Sequence, residues 1–390
     1  MMESKRRRVV SCIEEDRVSN LQEHLIDSIL ERLPIEDAVR TSILSRKWRH
    51  TWRNMRALVF DEDFSNKFAK NGAFGRNGFI RIINQVLFLH KGAILTFLLH
   101  IPDNIPRDSF QEVNQWMHFL SRTGVTEIVL TNLNRIYKLP CYMFCCRELR
   151  KLKLERCLFK PPLEFEGFLN LEDLELRYIV FGDNSSGTQI NLPKLKKLSI
   201  SECKNVNNFN IKATELETLI VAHHPDATLL RLLNSPCLTR VAMWLQFPIY
   251  NGPFLKELIV EKIPKWLPHA ASSLRYLSLQ DLDLGDIDQL EGALCLIRNS
   301  PNLKSLSLTM ESQVIDRYDV EPAADHLESP NCLDCTLNKL QIVEVKCLQG
   351  SRPELLFIEL LLAHSPSLEK CHAFPRASPK AQVIYLNPKL

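Results

Sequence analysis

Apolar residues in the first part of the chain, between positions 18 and 52, recur at the spacing of an α-helix. The earliest of them form one stripe with apolar neighbours, at Leu21, Leu25, Ile26, Ile29, Leu30 and Leu33. This period predicts an amphipathic helix. Ser19 and Gln22 have the spacing of a capping box at its start. Pro34 predicts its end, because proline lacks an N–H and disfavours helical angles at the preceding residue.

Two further short helices are predicted after Pro34. Glu36 and Asp37 place negative charge at the start of the second, where a helix N-terminus favours it, and Ala38, Val39 and Ile43 form its apolar side. Ser45 can cap a third helix, which carries Trp48 and Trp52 one turn apart. Three helices in roughly 35 residues cannot bury this much apolar surface among themselves. The pattern therefore predicts a docking module.

A second pattern, Leu-x-x-Leu-x-Leu, dominates the chain from residue 149 onward. It occurs at positions 149/152/154, 171/174/176, 195/198/200, 216/219/221, 238/241/243, 255/258/260, 274/277/279 and 303/306/308. Each copy predicts a short strand with its leucines on one side. The first four spacings are 22, 24, 21 and 22 residues, and the later ones are less regular at 17, 19 and 29. A period of 20 to 29 residues with this pattern resembles the leucine-rich repeat, in which stacked units bury a continuous leucine ladder. Cys157 and Cys203 occupy the position where such repeats carry Asn or Cys, and small buried side chains are expected there.

Elements outside the repeats complete an α/β chain. Residues 57–60, 94–101 and 125–130 read as strands, and residues 110–123 read as a helix followed by Gly124. The aperiodic residues 311–335 read as a loop, and a strand, a helix over 353–363 and a last strand near Cys371 follow. The predicted divisions are a flexible basic tail (1–17), the helical module (18–54), the solenoid (55–310), the loop (311–335) and a C-terminal region (336–390).

Charge and cysteine usage narrow the class of protein. A net charge of +3 on 390 residues gives no field that favours nucleic acid or an anionic membrane, so neither is expected as a partner. The longest apolar runs are too short to cross a bilayer, and residues 1–17 have no run that fits a secretory signal. Twelve scattered cysteines are then expected as free thiols in the nucleus or cytoplasm. Lys5 to Arg8 are either a nuclear import signal or a solvated basic tail.

Catalytic and metal-binding motifs are missing from the sequence. Cys332 and Cys335 form a single C-x-x-C pair, whereas a structural zinc site needs a second pair at compatible spacing. No phosphate-binding loop, nucleophile elbow or zinc-protease motif occurs. We therefore expect no catalytic residues, no metal and no cofactor, and an enzyme built on the repeats is the least favoured class.

The helical module resembles the F-box, which family members use to bind the Skp adaptor of a cullin-RING ubiquitin ligase. The resemblance lies in Leu21, Leu25, Ile29, Leu33-Pro34, Val39, Leu44-Ser45 and Trp48. It implies adaptor contacts at Leu21, Gln22, Leu25, Ile29, Leu30, Leu33, Pro34, Val39, Leu44 and Trp48. The family usually has Pro directly after the first Leu, where this chain has Gln22. An ordinary helical cap on a larger domain is the alternative. The C-terminal region resembles the FBD region of a plant F-box protein family.

The strand residues that alternate with the leucines indicate where a target would bind. Most are charged or small and polar, but the three copies within 216–261 turn apolar residues outward. The candidate target contacts are Ile220, Ala222, Ala242, Trp244, Ile259 and Glu261. An exposed apolar patch is a common mark of a binding surface. Alternatively, the loop at 311–335 or the C-terminal region covers this patch, which would make Trp244 a core residue.

The resemblance as a whole implies the substrate-recognition subunit of an SCF-type ubiquitin ligase. In this class of protein the F-box docks the adaptor, the repeats hold the target, and the partners perform the chemistry. The rival from another class is a leucine-rich-repeat scaffold that joins proteins without ubiquitin transfer. Binding of the Skp adaptor separates these two functions.

Overall fold

The computed structural model describes residues 21–70, 78–105, 110–182, 189–222, 231–244, 270–311, 321–329, 332–375 and 384–386. Its α-helices are α1 (Glu23–Leu30), α2 (Ile35–Arg40), α3 (Glu62–Ser65), α4 (Gly78–Leu89), α5 (Phe110–Leu120), α6 (Ile287–Arg298), α7 (Glu321–Glu328) and α8 (Arg352–His364). Its strands are β1 (Ala57–Phe60), β2 (Thr96–Ile101), β3 (Glu127–Asn132), β4 (Tyr137–Lys138), β5 (Lys151–Glu155), β6 (Cys157–Phe159), β7 (Asp173–Arg177), β8 (Val180–Phe181), β9 (Ile190–Asn191), β10 (Lys197–Ser201), β11 (Ile211–Lys212), β12 (Thr218–Ala222), β13 (Arg240–Trp244), β14 (Tyr276–Leu282), β15 (Ser305–Met310), β16 (Ile342–Leu348), β17 (Lys370–Pro375) and β18 (Ile384–Leu386).

One long sheet runs through the molecule, and thirteen of the strands above belong to it. Its order is β1-β2-β3-β5-β7-β10-β12-β13-β14-β15-β16-β17-β18. Neighbours are parallel except for the antiparallel pair β17 and β18. The register keeps the leucine rows aligned, as where Leu198 lies between Leu174 and Leu219 with all three side chains buried. The predicted leucine ladder is thus confirmed for the repeats that the structure describes.

The repeat predicted at 255/258/260 lies outside the described residues. Strand β13 pairs directly with β14, with Val241 opposite Leu277 and Met243 opposite Leu279. The described repeat strands therefore form a continuous ladder from β12 through β13 and β14 to β15.

Two small sheets follow the C-terminal ends of the repeat strands, with orders β4-β6-β8 and β9-β11. Phenylalanine rings fill the space behind them. Phe181 stacks on Phe209 with centroids 4.6 Å apart, and Phe159 meets Phe181 edge-on at 5.9 Å. Cys157 is buried at the start of β6 and Cys203 is buried two residues after β10, as their place in the repeat predicted. Burial raises the pKa of the Cys203 thiol to about 12, so it is a packing group and not a thiolate.

The N-terminal helices differ from the sequence prediction in three details. Helix α1 begins at Glu23, so Gln22 is its N-cap residue and cannot be the fourth residue of a capping box with Ser19, which lies outside the described residues. Helix α1 ends at Leu30, and Pro34 is the N-cap of α2. The third helix is a 3-10 helix over Trp48–Asn54 whose N-cap residue is Lys47 and not Ser45, although the Trp48 N–H donates to Ser45 Oγ at 3.4 Å.

Four helices were not predicted, namely α3, α4, α6 and α7. Helix α4 supplies Phe79, Ile83 and Val86 to the core. Helix α7 lies within the predicted loop 311–335, where Ala323, Ala324 and Leu327 are buried. That prediction is wrong because a two-turn helix buries too few residues to show a period in sequence. Helix α7 packs against α6 and α8, and Arg352 on α8 pairs with Glu321 and Glu328 at 2.8 Å each.

The helical module and the sheet share one core. Ile26, Leu30, Trp48 and Trp52 belong to the same buried cluster as Leu58 on β1. Helices α2 and α3 both pack against β1. Main-chain hydrogen bonds strengthen the joint, from the Lys91 N–H to Arg53 O and from the Leu95 N–H to Arg56 O, both 2.8 Å. The module therefore completes its core on the first edge of the sheet.

Candidate functional site

Four aliphatic side chains of the helical module remain exposed although the module has a buried core. Leu25 is 43% exposed, Ile29 40%, Ile43 88% and Leu44 55%. We call these four residues the aliphatic group. On α1, Leu25 and Ile29 are one turn apart and therefore share a face, while Ile26 and Leu30 are fully buried on another. Exposed aliphatic side chains beside a completed core are a common feature of interaction surfaces.

The predicted adaptor contacts divide by burial. Gln22, Leu25, Ile29, Pro34 and Leu44 are exposed, whereas Leu21, Leu33 and Val39 are half-buried against the core. Leu30 and Trp48 are 0% and 3% exposed. Direct contact with a partner is therefore not available to Leu30 and Trp48, and their predicted role is corrected to support of the helices. Ile43 was missing from the predicted contacts, although its place on the apolar side of the second helix was a usable signal.

Gln22 and Leu21 form the start of the module surface. Gln22 has φ −69° and ψ 147°, and its side chain makes no capping hydrogen bond. Its carbonyl oxygen accepts from the Leu25 and Ile26 N–H groups at 3.0 and 3.2 Å. Lys47 Nζ donates to Leu21 O, which ties the loop before the third helix to the start of α1. The main chain at Gln22 thus has the conformation that proline adopts.

The second surface is the outward face of the main sheet, opposite the leucine rows. Over β3 to β10 it carries a lattice of opposite charges. Lys151 pairs with Glu127 at 2.8 Å, Lys153 with Glu175 at 2.7 Å, and Lys197 with Asp173 at 4.0 Å. The hydrogen bond that Lys151 donates to the Glu127 carboxylate raises the pKa of Lys151. Such exposed pairs contribute little to stability, but they leave no unpaired charge on these lysines.

The next three strands carry a different surface, which we call the central patch. Its outward residues are Thr218, Ile220 and Ala222 on β12, Arg240, Ala242 and Trp244 on β13, and Tyr276, Ser278 and Gln280 on β14. The predicted contacts Ile220, Ala222, Ala242 and Trp244 are brought together here and are half-buried. Ile259 and Glu261 lie outside the described residues.

Five residues of the central patch were not predicted as contacts, and two of them, Arg240 and Tyr276, lie against each other. The Arg240 guanidinium carbon lies 5.1 Å from the centroid of the Tyr276 ring. Both side chains are exposed, Tyr276 by 44%. The sequence could have indicated both residues, because each comes directly before the first inward-facing apolar residue of its strand. That position faces outward, like the residue two places later. The described part of 311–335, which was considered as a cover for Trp244, instead packs through α7 against α6 and α8.

The described residues offer no evident site for chemistry. They contain no group of three or more His, Cys, Asp and Glu side chains that could hold a metal ion. Cys332 is buried and Cys335 is half-buried. Burial raises the pKa of both thiols, and this effect outweighs the opposite effect of the Arg298 charge. In the same part of the chain, no helix has both the length and the apolar character required to cross a membrane.

Comparison with known proteins gives two domain matches. Residues 18–59 match the F-box domain, and residues 86–238 match a leucine-rich-repeat domain described as At1g61320/AtMIF1, LRR domain. The first of these ranges contains the aliphatic group. The second contains strands β2 to β12 of the main sheet and ends before the central patch is complete.

Full-length relatives come from Arabidopsis thaliana. The chain is 29% identical to F-box/FBD/LRR-repeat protein At1g13570, over 95% of this chain and 98% of that protein. It is 25% identical to putative F-box/FBD/LRR-repeat protein At4g13965, over 99% and 78% of the two chains. It is also 25% identical to FBD-associated F-box protein At5g56370, over 91% and 89%. All three names include an F-box and an FBD region, and the first two also name leucine-rich repeats.

Proposed function

Because the chain belongs to the family of plant F-box/FBD/leucine-rich-repeat proteins, we propose that it is the substrate-recognition subunit of an SCF-type ubiquitin ligase. The observation that carries this proposal is the aliphatic group, exposed on the domain that matches the F-box. F-box domains generally bind Skp-type adaptors, and an exposed aliphatic surface fits such contact. In this function the chain binds and positions a target, and the RING partner and its conjugating enzyme transfer ubiquitin.

The shared core supports a receptor in which docking and target binding are mechanically coupled. The helical module packs on β1, and the sheet continues from β1 to the central patch on β12 to β14. A target held on the central patch would therefore keep a defined position relative to a docked adaptor. We also propose that residues 336–390 form an FBD cap on the solenoid, and that the protein acts in the nucleus or cytoplasm.

Co-expression of the full chain with a Skp-type adaptor tests the proposed function. We expect the two proteins to co-elute from a size-exclusion column as a complex with 1:1 stoichiometry. Addition of a cullin with its RING subunit should then give a larger complex that supports ubiquitin transfer. Separate elution of chain and adaptor would contradict the proposal. A chain–adaptor complex that never recruits the cullin would instead favour the non-ligase repeat scaffold, which is the alternative function.

Gln22→Pro tests the one departure from the family pattern in the F-box. The φ of −69° at Gln22 fits proline, and the exposed side chain makes no capping bond, so the fold should be retained or stabilised by roughly 0.4–1 kcal/mol. If the family's proline contacts the adaptor, Gln22→Pro also tightens adaptor binding and slows its dissociation. Titration calorimetry on the two versions measures this. Equal or weaker affinity would show that Gln22 is a neutral replacement.

A further inference from the structure

Arg240 is held differently from the lysines that share its face of the sheet. Lys151, Lys153 and Lys197 on the outward face each have a carboxylate partner. Arg240 is exposed, and within the described residues its structural contact is the face of Tyr276 at 5.1 Å. A guanidinium that stacks on a ring keeps the N–H groups at its edge available. Those groups match a carboxylate in a two-bond geometry.

Small side chains form the floor beside Arg240. Along the register, Ser199, Ile220, Ala242, Ser278 and Ser307 lie in one row that crosses five strands. Only Ile220 in this row is large. Arg240 and Tyr276 stand on one side of the row, and Trp244 and Gln280 stand on the other. The Gln280 Nε2 donates to Ser278 Oγ at 2.5 Å. We call the part of this row that lies between Arg240 and Tyr276 on one side and Trp244 and Gln280 on the other the groove.

The spacing of the two sides defines what the groove can hold. Arg240 and Trp244 are four residues apart in one strand, so their Cα atoms are about 13 Å apart. This distance accommodates a peptide segment or the roughly 10–12 Å width of a helix. Arg, Tyr and Trp are the residue types most enriched at binding hot spots. Here one example of each borders the same groove.

We propose that the central patch binds a peptide segment of the target that presents an aspartate or glutamate to Arg240 and a bulky apolar side chain to Trp244 and Ile220. The carboxylate completes the donor set of the stacked guanidinium. The apolar side chain covers the half-buried indole across the small-residue floor. This inference rests on the proposed function for its biological context, but the recognition chemistry belongs to β12 to β14 alone.

Selection from a yeast-displayed library of random 12-residue peptides tests this inference, with the full-length chain as the labelled bait. We expect enrichment of peptides that combine Asp or Glu with a large apolar residue. Synthetic copies of the enriched peptides, each paired with its Asp→Asn or Glu→Gln version, are then titrated by fluorescence anisotropy. Loss of the carboxylate should weaken binding about tenfold or more, as expected for a charge-assisted pair.

Substitutions in the central patch test which residue contacts which part of the peptide. Arg240→Gln should weaken binding of the acidic peptide about tenfold and leave binding of its amide version unchanged. Trp244→Ala should weaken both versions about tenfold or more. Arg177→Gln is the matched control, because Arg177 is also exposed and lies 5.1 Å from a tyrosine ring, that of Tyr178, but on β7, three strands from β13. Its affinity for the peptides should equal that of the unmodified chain.

Several outcomes overturn the inference. One is a selection without enrichment of acidic–apolar peptides, and another is equal peptide binding by Arg240→Gln and the unmodified chain. A melting temperature lowered by ten degrees or more in Trp244→Ala would show that the indole is covered within the chain, which also overturns it. Adaptor co-elution is measured on the same proteins. Peptide binding without adaptor binding contradicts the ligase function alone, and adaptor binding without peptide binding contradicts this inference alone.

Discussion

Replacement of Leu25 by Glu together with Ile43 by Asp is expected to abolish capture of a Skp-type adaptor. Each aliphatic side chain that a partner covers contributes about 1.5–3 kcal/mol through apolar burial. A carboxylate placed in the same contact costs more, because it loses water without gaining a partner. The pair of changes should therefore weaken adaptor binding roughly a hundredfold or more. Calorimetry or biolayer interferometry with purified adaptor measures the loss.

The same two changes should leave the fold intact, because Leu25 is 43% and Ile43 88% exposed. Leu163→Glu is the matched control, since Leu163 is 74% exposed and lies in the repeats, outside the F-box. It should bind the adaptor like the unmodified chain. Leu25→Glu with undiminished adaptor binding would contradict the ligase function. A large drop in melting temperature of the double variant would show that the two side chains support the core.

The helical module shows which structural features a hydrophobic period predicts and which it does not. The spacing of Leu21, Leu25, Ile29 and Leu33 indicated the helix, but it did not indicate which apolar side chains face the core. In the structure Ile26 and Leu30 are buried and Leu25 and Ile29 are exposed. Two adjacent apolar stripes give the same period. Only the packing of Trp48 and Trp52, which is tertiary, selects between them.

The repeat region was predicted more completely because its pattern fixes both strand and register. Leucines at alternate positions can all face one core in only one register, since a one-residue slip moves every leucine to the other face. The direct pairing of β13 with β14 did not follow from the motif, because a leucine match predicts a strand but not which strand is its neighbour in the sheet.

The sequence predicted the apolar residues of the central patch, but it did not predict the contact between Arg240 and Tyr276. Ile220, Ala242 and Trp244 were apparent from alternation with the leucines. Arg240 stacks on Tyr276 from the neighbouring strand, although residues 245–269 lie between the two in the sequence. Pairing of β13 with β14 is what brings them together, and that pairing did not follow from the leucine pattern.

Gly167→Ala is expected to be the most destabilising single substitution among the glycines whose surroundings the structure describes. Gly167 has φ +140°, and a Cβ there would lie 1.8 Å from Asn191 O and 2.7 Å from Asn191 C. The neighbouring Asn191 N–H donates to Glu166 O at 2.7 Å, so the two segments are already in close contact. Alanine must push the segment carrying β9 away from Gly167. We expect a loss of about 3 kcal/mol or more.

Gly124→Ala separates the steric clash from the conformational cost. Gly124 also has a positive φ, +73°, but a Cβ there meets nothing within 4 Å. The expected loss is only about 1 kcal/mol, the cost of a left-handed conformation for alanine. Thermal melting and limited proteolysis compare the two variants, because a repeat array can open locally without global unfolding. For Gly167→Ala we expect new cleavage near residues 163–170 and 189–195. Equal melting temperatures for the two variants would contradict the close contact between Gly167 and Asn191, and with it the observed packing of successive return segments.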